Sequence, residues 1–235
     1  MKYSIIVTGY NCEKYAKQCI DSILAQTEKD YEVIVINDCS TDNTKEILES
    51  YKQQNIYAFH AVKNLGALQY RYDFAHAFDG DIILFVGLDD YLEPNALEVL
   101  NKVYSNPKIR MSYGAWKTPQ NTAKRVRAYP SEVFKNKSFR NHEWLATALN
   151  SFKRDLLLEI PKEKLINPKT NEFFTNCTDL AYSFPALELC KEDEVAVVKD
   201  YIYVYRNDHD NTTLNRLGVE HKTEVRDILR NIKPL

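Results

Sequence analysis

The sequence lacks the patterns that mark several large classes of nucleotide-binding and membrane proteins. It contains no GxGxxG at the start of a βαβ unit and no glycine-rich loop ending in Lys-Ser or Lys-Thr. A dinucleotide oxidoreductase and a P-loop NTPase are therefore disfavoured. No apolar run approaches the roughly 20 residues that cross a bilayer. A formal charge of -2 argues against a general nucleic-acid binder.

The chain also has no CxxC pair, because its five cysteines are widely spaced: Cys12, Cys19, Cys39, Cys177 and Cys190. Such a pattern favours free thiols in a reducing compartment over disulfides or a zinc site. A strand-like run begins directly after the first two residues, so we expect no signal peptide. We therefore expect a soluble, cytoplasmic protein, whose contact with lipid, if any, is at the inner face of the membrane.

Strand and helix patterns alternate through the first half of the chain. This order predicts an α/β fold whose strands pair mostly in parallel through right-handed crossovers. The strands are expected at 3–8, 31–36, 57–62, 82–86 and 109–113, with helices near 15–24, 47–51, 68–78 and 94–104. The pattern is less regular from Trp116 onward. There we expect helices at 144–149, 155–159, 179–189 and 219–232, and a strand at 194–205.

The most informative feature is the adjacent pair Asp89 and Asp90, directly after the apolar run 82–86. In open parallel sheets, ligands bind where strands end. Neighbouring carboxylates repel each other unless a cation lies between them, and a divalent metal carrying a phosphate is the usual one. A turn in which an Asp caps the helix starting at Pro94 is the alternative interpretation.

A second acidic residue, Asp38, follows the strand 31–36. At the carboxyl edge of a strand, a carboxylate can accept the imide N–H of a uracil ring. A local turn formed by the Asp side chain is the alternative. Thr8 and Tyr10, at the end of the first strand, are suited to contact and stacking with a base. Arg71 follows the turn signal 64–66 and can reach a phosphate or the base, the alternative being an ordinary surface charge.

Together these segments resemble the inverting glycosyltransferases of family 2, which have the GT-A fold. The resemblance covers roughly the first 115 residues and rests on the order and spacing of four motifs: Ile5-Ile6-Val7-Thr8-Gly9-Tyr10-Asn11, Ile36-Asn37-Asp38-Cys39-Ser40-Thr41-Asp42, Asn64-Leu65-Gly66 with Arg71, and Leu88-Asp89-Asp90-Tyr91-Leu92-Glu93-Pro94. The GT-A fold implies a Rossmann-like, mostly parallel central sheet flanked by helices. A less regular, acceptor-binding half completes it.

The resemblance implies that Thr8, Asp38 and Arg71 contact the nucleoside of a nucleotide sugar. It implies that Asp89 and Asp90 serve the ribose, the diphosphate and a Mn²⁺ or Mg²⁺ ion. Many members of the family read Asp-x-Asp-Asp where this chain has Gly87-Leu88-Asp89-Asp90, so the first carboxylate is missing. The remaining pair can still hold a metal, because these ions often take one or two protein carboxylates and draw other ligands from phosphate and water.

Inverting transfer also needs a base on the far side of the sugar from the diphosphate. Asp179 matches the second member of the acidic pair found there in the family, and Thr178 replaces the first. A plain helix N-cap is the alternative for Asp179. Asp193 and Glu194 are other acidic candidates, but they lie in a run of charge typical of a solvated turn. Family members often carry a His after a Tyr-Arg pair, and His209 fits with an offset of one residue as a metal or pyrophosphate ligand, against the alternative of a surface histidine.

The acceptor side is less defined by the sequence. The segment 117–140 holds seven basic residues and one acidic residue. We expect a loop beside the active site that meets a lipid-linked diphosphate acceptor or an anionic membrane surface, with a simple solvated loop as the alternative. We expect His142, Glu143 and Trp144 to form part of the acceptor wall, although Trp144 also suits a core position.

We therefore expect a metal-dependent transferase that moves a hexose or N-acetylhexosamine from a UDP-sugar to a glycan or lipid-linked acceptor in surface polysaccharide synthesis. The expected organisation is a nucleotide-sugar-binding half at 1–115, an acceptor-binding half at 116–205 and a C-terminal lid loop and helix at 206–235, within one continuous domain. Two rivals stay open. One is a catalytically silent relative that binds a nucleotide or a partner enzyme, and the other is a sugar-phosphate nucleotidyltransferase.

Overall fold

The protein, described by a computed structural model, has a nine-stranded mixed sheet with helices on both faces. The structure describes residues 1–52, 56–206 and 213–235, with side chains in the last range from residue 219 onward. In chain order the elements are β1 (Tyr3–Gly9), α1 (Ala16–Leu24), β2 (Tyr31–Asn37), α2 (Thr44–Glu49), β3 (Ile56–His60), α3 (Ala67–Ala77), β4 (Ile82–Gly87), β5 (Tyr91–Leu92), α4 (Ala96–Tyr104), β6 (Met111–Lys117), β7 (Ala123–Lys124), α5 (Ser131–Lys135), β8 (Ser151–Lys153), α6 (Arg154–Leu158), β9 (Ile166–Asn167), β10 (Glu172–Phe173), α7 (Thr178–Leu189), β11 (Val195–Val204) and α8 (Thr213–Asn231).

The first half of the sheet is parallel. Strand β1 lies between β2 and β4, and β2 also pairs with β3. Strands β1, β2 and β4 are rich in apolar, β-branched side chains that are buried on both faces, as in a sheet covered by crossover helices, whereas the edge strand β3 is partly exposed. The carboxyl ends of β1, β2 and β4 therefore meet at one edge. The prediction of a mostly parallel α/β fold is confirmed.

The second half of the sheet departs from this order. The full order is β3-β2-β1-β4-β8-β6-β11-β5, with β7 paired to β6. Strand β8 is antiparallel to both β4 and β6 and separates them, while β11 pairs with β6 in parallel. The short β5, which follows Asp89 and Asp90, pairs with the end of β11. The sheet thus brings the end of β11 beside the acidic pair.

Two apolar cores lie on opposite faces of the sheet. One is formed with α1, α2 and α4, and the other with α3, α6, α7 and α8. Alternate residues of β1 divide between them, since Ile5 and Val7 belong to the first core and Ile6 to the second. Within the described residues, no helix is long and apolar enough to cross a membrane.

The helix predicted at 144–149 is wrong. This segment has an irregular backbone whose polar groups bind distant partners. The Leu145 N–H donates to the Tyr129 hydroxyl, and the Thr147 hydroxyl donates to the Gly114 carbonyl. Because these tertiary contacts compete with helical hydrogen bonds, local propensity does not decide the backbone here. The helix expected from Pro94 begins at Ala96, and the C-terminal helix begins at Thr213 rather than 219.

Candidate functional site

A cleft of about 690 Å³ opens at the carboxyl ends of β1, β2 and β4, a size typical of a small-molecule site. Its lining brings together the predicted residues Thr8, Tyr10, Asp38, Arg71, Asp89, Asp90 and Asp179. The last of these lies at the start of α7 and the others at the strand ends or on α3. His209, the remaining predicted residue, lies outside the described residues.

Asp38 holds the turn that precedes α3. Its two carboxylate oxygens accept the N–H groups of Leu65 and Gly66, both at 2.9 Å. The Asn64 amide also donates to the Asp38 carbonyl oxygen at 3.0 Å. Gly66 has a φ of 81°, which a residue with a side chain rarely adopts. Asp38 therefore forms a long-range contact instead of a local turn, and it fixes the backbone at the base end of the cleft.

Asp90 is nearly fully buried between β4 and β11. Its Oδ2 accepts the Tyr203 hydroxyl at 2.5 Å, and its Oδ1 accepts the Arg206 backbone N–H at 2.7 Å. Burial raises the pKa of Asp90 well above its usual range, and the adjacent charge of Asp89 adds to this effect. Asp90 does not cap α4, because Asn95 precedes that helix and no side-chain hydrogen bond caps it. The capping interpretation is therefore wrong.

Arg206 connects the acidic pair with the segment around the start of α1. Its guanidinium donates to the Asp89 carbonyl oxygen at 3.1 Å and to the Gln18 side chain at 2.6 Å, and it lies 4.6 Å from the centroid of the Tyr15 ring. Sequence reasoning assigned no role to Arg206 or Tyr203. The only local signal is the Tyr-Arg pair at the end of β11.

Gly87 stands at the position of the missing first carboxylate, and its surroundings leave little space for a longer side chain. A Cβ atom there would lie 2.6 Å from Asp89 Oδ1 and 3.0 Å from Asp90 Oδ2. The space that a longer side chain would need is therefore occupied by the two acidic side chains themselves. In this chain, the pair Asp89 and Asp90 packs where a third carboxylate would begin.

The acidic pair fits a metal that is shared with a diphosphate. Burial is the main cause of the raised pKa of Asp90, and a cation between Asp89 and Asp90 would relieve the repulsion from Asp89 that adds to it. Among the described residues, no group of three or more His, Cys, Asp and Glu side chains is placed to hold a metal. The protein thus offers two carboxylates at most from this part of the chain, a set that suits Mg²⁺ or Mn²⁺ when phosphate and water supply the other ligands.

Arg71 connects the donor end of the cleft with the start of α7. Its Nη1 donates to the Thr178 hydroxyl at 3.0 Å, and its guanidinium lies 5.2 Å from the centroid of the Phe85 ring. The side chain is partly enclosed by these contacts, so Arg71 is not an ordinary surface charge. Three buried polar atoms at the cleft lack a hydrogen-bond partner among the described residues: Arg71 Nε, Asn176 Nδ2 and Ser183 Oγ.

Asp179 is the second residue of α7 and faces the same cleft. It is not the N-cap, since Cys177 precedes the helix with a φ of 51° and no side-chain hydrogen bond caps it. The N-cap interpretation is therefore wrong. A negative charge in the first turn still favours the helix electrostatically. The carboxylate is thus placed to accept a proton from a molecule in the cleft.

The basic segment 117–140 is mostly engaged elsewhere. Arg140 is buried and binds Glu188 through two side-chain hydrogen bonds, while Lys117 pairs with Glu93. Lys124 is the one basic side chain of this fully described segment that lines the cleft. The cations of this segment are divided among structural pairs, solvent and the cleft, and its contact with a lipid-linked acceptor or an anionic membrane surface stays a prediction.

Of the three residues expected to form an acceptor wall, Trp144 is among those that line the cleft. Trp144 lines the cleft and packs edge-on against the Phe184 ring, with centroids 5.2 Å apart. Glu143 instead pairs with Arg127 at 2.5 Å. Trp116 and Tyr205, to which the sequence analysis gave no function, also line the cleft with ring centroids 5.1 Å apart. Three aromatic rings from the second half of the chain therefore line the cleft.

Solved structures that are similar to this chain include sugar-transferring enzymes. The chain is similar to residues 1–349 of TarS from Staphylococcus aureus, crystallised with UDP, with a TM-score of 0.65 at 23% identity, covering 88% of this chain and 61% of that one. It is also similar to glucosyl-3-phosphoglycerate synthase from Mycobacterium tuberculosis, crystallised with Mn²⁺, UDP and glucosyl-3-phosphoglycerate. That TM-score is 0.61 at 16% identity, covering 96% of this chain and 79% of that one. The fold is the GT-A fold.

The sequence comparison gives the family. Residues 4–166 match the family described as Glycosyl transferase family 2, and the chain belongs to this family. The poly(ribitol-phosphate) beta-glucosyltransferase of Bacillus spizizenii is 38% identical over 102 residues, which cover 41% of this chain and 16% of that protein. The chain thus corresponds to a small part of the length of this relative.

Proposed function

We propose that the protein transfers a hexose or N-acetylhexosamine, with inversion, from a UDP-sugar to a hydroxyl of a glycan or lipid-linked saccharide. The observation that carries this proposal is the placement of the pair Asp89 and Asp90, at a strand end, in the same cleft as Asp179 at the start of α7. Two similar proteins support the proposal: TarS was crystallised with UDP, and the Bacillus spizizenii relative is named as a glucosyltransferase. Surface polysaccharide synthesis at the cytoplasmic face of the membrane is the proposed setting.

The donor end would bind the nucleotide. Tyr10 and Thr8 would contact the nucleoside from the end of β1, and Asp38 would accept a uracil N–H beside the turn that it holds. Arg71 would reach the nucleotide from α3. Asp89 would serve the ribose and diphosphate, and both Asp89 and Asp90 would hold Mn²⁺ or Mg²⁺. When bound, the metal would offset the negative charge that grows on the departing UDP.

The acceptor end would remove a proton. The Asp179 carboxylate would take the proton of the acceptor hydroxyl as the hydroxyl oxygen bonds to C1 of the sugar and the bond from C1 to the diphosphate oxygen breaks. Arg71 would lie between the nucleotide and the base, since its guanidinium donates a hydrogen bond to the Thr178 hydroxyl beside Asp179. This arrangement would place the base and the leaving group on opposite faces of the sugar. Attack from the face opposite the leaving group inverts the configuration at C1.

We further propose the division of labour expected from the sequence: donor binding by 1–115, acceptor binding by 116–205 and a closing role for 206–235. The hydrogen bond from the Arg206 backbone N–H to Asp90 supports coupling between the first and last of these parts. Closure of the segment that follows Arg206 would then affect Asp90, the carboxylate that is proposed to bind the metal. His209 would act within that segment as a ligand of the metal or pyrophosphate.

The test is a transfer assay with UDP-glucose, UDP-galactose and their N-acetyl forms, each with Mn²⁺ and with EDTA. We expect acceptor-dependent release of UDP in Mn²⁺ and a product whose anomeric configuration, read by proton NMR, is opposite to that of the donor. A product of retained configuration would contradict the proposed base. UDP binding without turnover on any donor would favour the catalytically silent alternative, for which the absence of an acidic side chain at Gly87 and Thr178 is the supporting observation.

A further inference from the structure

Three cationic side chains from two distant parts of the chain line the cleft that also contains Asp179. Lys124 comes from β7, and Lys222 and Arg226 come from α8. We call these three residues the acceptor cations. Lys222 and Arg226 are four residues apart, so they lie on the same face of α8 with Cβ atoms about 6 Å apart. Together they present positive charge along one wall of the cleft.

Contacts between α8 and the start of α7 place these charges near the proposed base. The Cys177 thiol lies 3.8 Å from the Lys222 carbonyl oxygen. Cys177 directly precedes α7, two residues before Asp179. Burial raises the pKa of the Cys177 thiol to about 11, while the positive charges of Lys222 and Arg226 act to lower it, as expected for cations close to this helix start.

The acceptor cations differ from Arg127 and Lys169 in having no ion-pair partner among the side chains that the structure describes. Among the described side chains, none of the three lies within ion-pair distance of a carboxylate. Neighbouring cations are paired, since Lys169 binds Glu224 of α8 and Arg127 binds Glu143. Like charges that converge on one cleft repel each other, so an anion bound between them would be stabilised.

Aromatic rings adjoin Lys124, one of the acceptor cations. The Lys124 ammonium lies 5.9 Å from the centroid of the Trp116 ring, and Trp116 packs against Tyr205. An indole face can carry the apolar side of a sugar ring, while the cations beside it hold a charged substituent. The wall thus combines the two kinds of contact that a charged saccharide needs.

We propose that the acceptor is an anionic glycan, which carries a phosphate or carboxylate close to the hydroxyl that receives the sugar, and that Lys124, Lys222 and Arg226 bind this charge. The inference rests on the proposed function and narrows its acceptor. The diphosphate of the donor does not need these cations, because the donor end has its own acidic pair for a metal and Arg71 nearby. Two sources supply the required chemistry: phosphodiester-linked polyols and uronate-containing saccharides.

The test measures binding of three probes by calorimetry: ribitol-phosphate oligomers, glucuronate-containing oligosaccharides and neutral glucose oligosaccharides. The double variant Lys222→Gln with Arg226→Gln is compared with a double variant of equal charge change, Lys45→Gln with Lys102→Gln, whose exposed side chains lie on α2 and α4. We expect at least one anionic probe to bind the native chain with an affinity that falls as salt rises. The first double variant should lose about tenfold or more of that affinity, as expected for lost charge-assisted contacts, and the control should keep it.

Three outcomes would overturn the proposal. They are binding of no anionic probe, equal binding of the charged and neutral probes, and unchanged anionic binding in the Lys222 and Arg226 variant. Titration with UDP alone separates this question from the proposed function. Loss of UDP affinity in that variant would assign the cations to the donor instead and would also overturn the proposal. Absence of UDP binding in the native chain would contradict the proposed function, while binding of the anionic probes would still report on the acceptor cations.

Discussion

The donor end and the acceptor end of the cleft are built by different means. The donor end takes its functional groups from the ends of β1, β2 and β4, neighbours in a parallel sheet. The acceptor end takes them from β6, β7, α7, α8 and the irregular segment around Trp144, which are distant in the chain. The donor end therefore follows from the repeated strand–helix units of the parallel sheet. The acceptor end depends on tertiary contacts between distant segments.

This difference has a chemical meaning. A strand end fixes the position of a side chain through the hydrogen bonds of the whole sheet, which suits recognition of a nucleotide of constant structure. Loops and helix ends on a rigid scaffold vary without disturbing that sheet. The comparison therefore predicts that changes at the donor end affect UDP binding, and that changes at the acceptor end affect turnover and acceptor choice.

Asp179→Asn tests this separation with the largest expected effect on transfer. The amide keeps the shape of the side chain but cannot take the acceptor proton, so turnover should fall about a hundredfold or more. UDP affinity, measured by calorimetry, should stay close to that of the native chain. Unchanged turnover would remove Asp179 from the mechanism. Joint loss of turnover and UDP affinity would break the separation of the two ends.

Asp90→Asn should act at the other end. Loss of a negative charge from the acidic pair should weaken Mn²⁺-dependent UDP binding by about 10- to 100-fold. Tyr203→Phe is the matched variant, because it retains the carboxylate and removes one hydrogen bond to it. It should have a smaller effect of the same sign. Native UDP affinity in Asp90→Asn would show that the metal lies elsewhere.

Gly87→Asp would restore the first acidic residue of the family motif, yet we expect it to weaken UDP binding severalfold. The new Cβ would lie 2.6 Å from Asp89 Oδ1, so the acidic pair must move. Gly87→Ala introduces the same Cβ without a charge and should show most of the effect. Stronger Mn²⁺-dependent binding in Gly87→Asp alone would mean that the site adapts to a third carboxylate.

Arg140→Met should have the smallest effect on transfer and a large effect on stability. It leaves Glu188 buried without its partner, which typically costs about 3–5 kcal/mol of unfolding free energy. Arg127→Met breaks an exposed pair with Glu143 and should cost about 0–1 kcal/mol. Denaturant unfolding measures both. UDP affinity of the folded Arg140→Met protein should stay native, since Arg140 lies outside the cleft; equal stability of the two variants would contradict the structural role of Arg140.

The parts predicted from sequence are those that local patterns specify. The runs at 3–8, 31–36 and 82–86 are apolar over their length, so both their strand character and the position of their polar ends follow from the sequence. Asp38, Asp89 and Asp90 could therefore be placed at one edge of the sheet. The family motif, rather than periodicity, suggested Asp179, and the structure places that residue in the same cleft.

The parts that were missed depend on contacts between distant segments. Strand β8 enters between β4 and β6 although it lies about 65 residues after β4, and no local pattern specifies that pairing. Arg140 was interpreted as part of a basic loop because its partner, Glu188, is 48 residues away. The same reason hid the contact of Tyr203 with Asp90, which crosses 113 residues of chain.

The account depends most directly on the donor end, and titration of the native chain with UDP tests it. UDP should bind in the presence of Mn²⁺ with a calorimetric heat that disappears when EDTA is added, because the acidic pair needs a cation before it can accept a diphosphate. Among UDP-sugars, the tightest binder would indicate the sugar that is transferred. Absence of UDP binding with or without Mn²⁺ would contradict the assignment of this cleft as a UDP-sugar site.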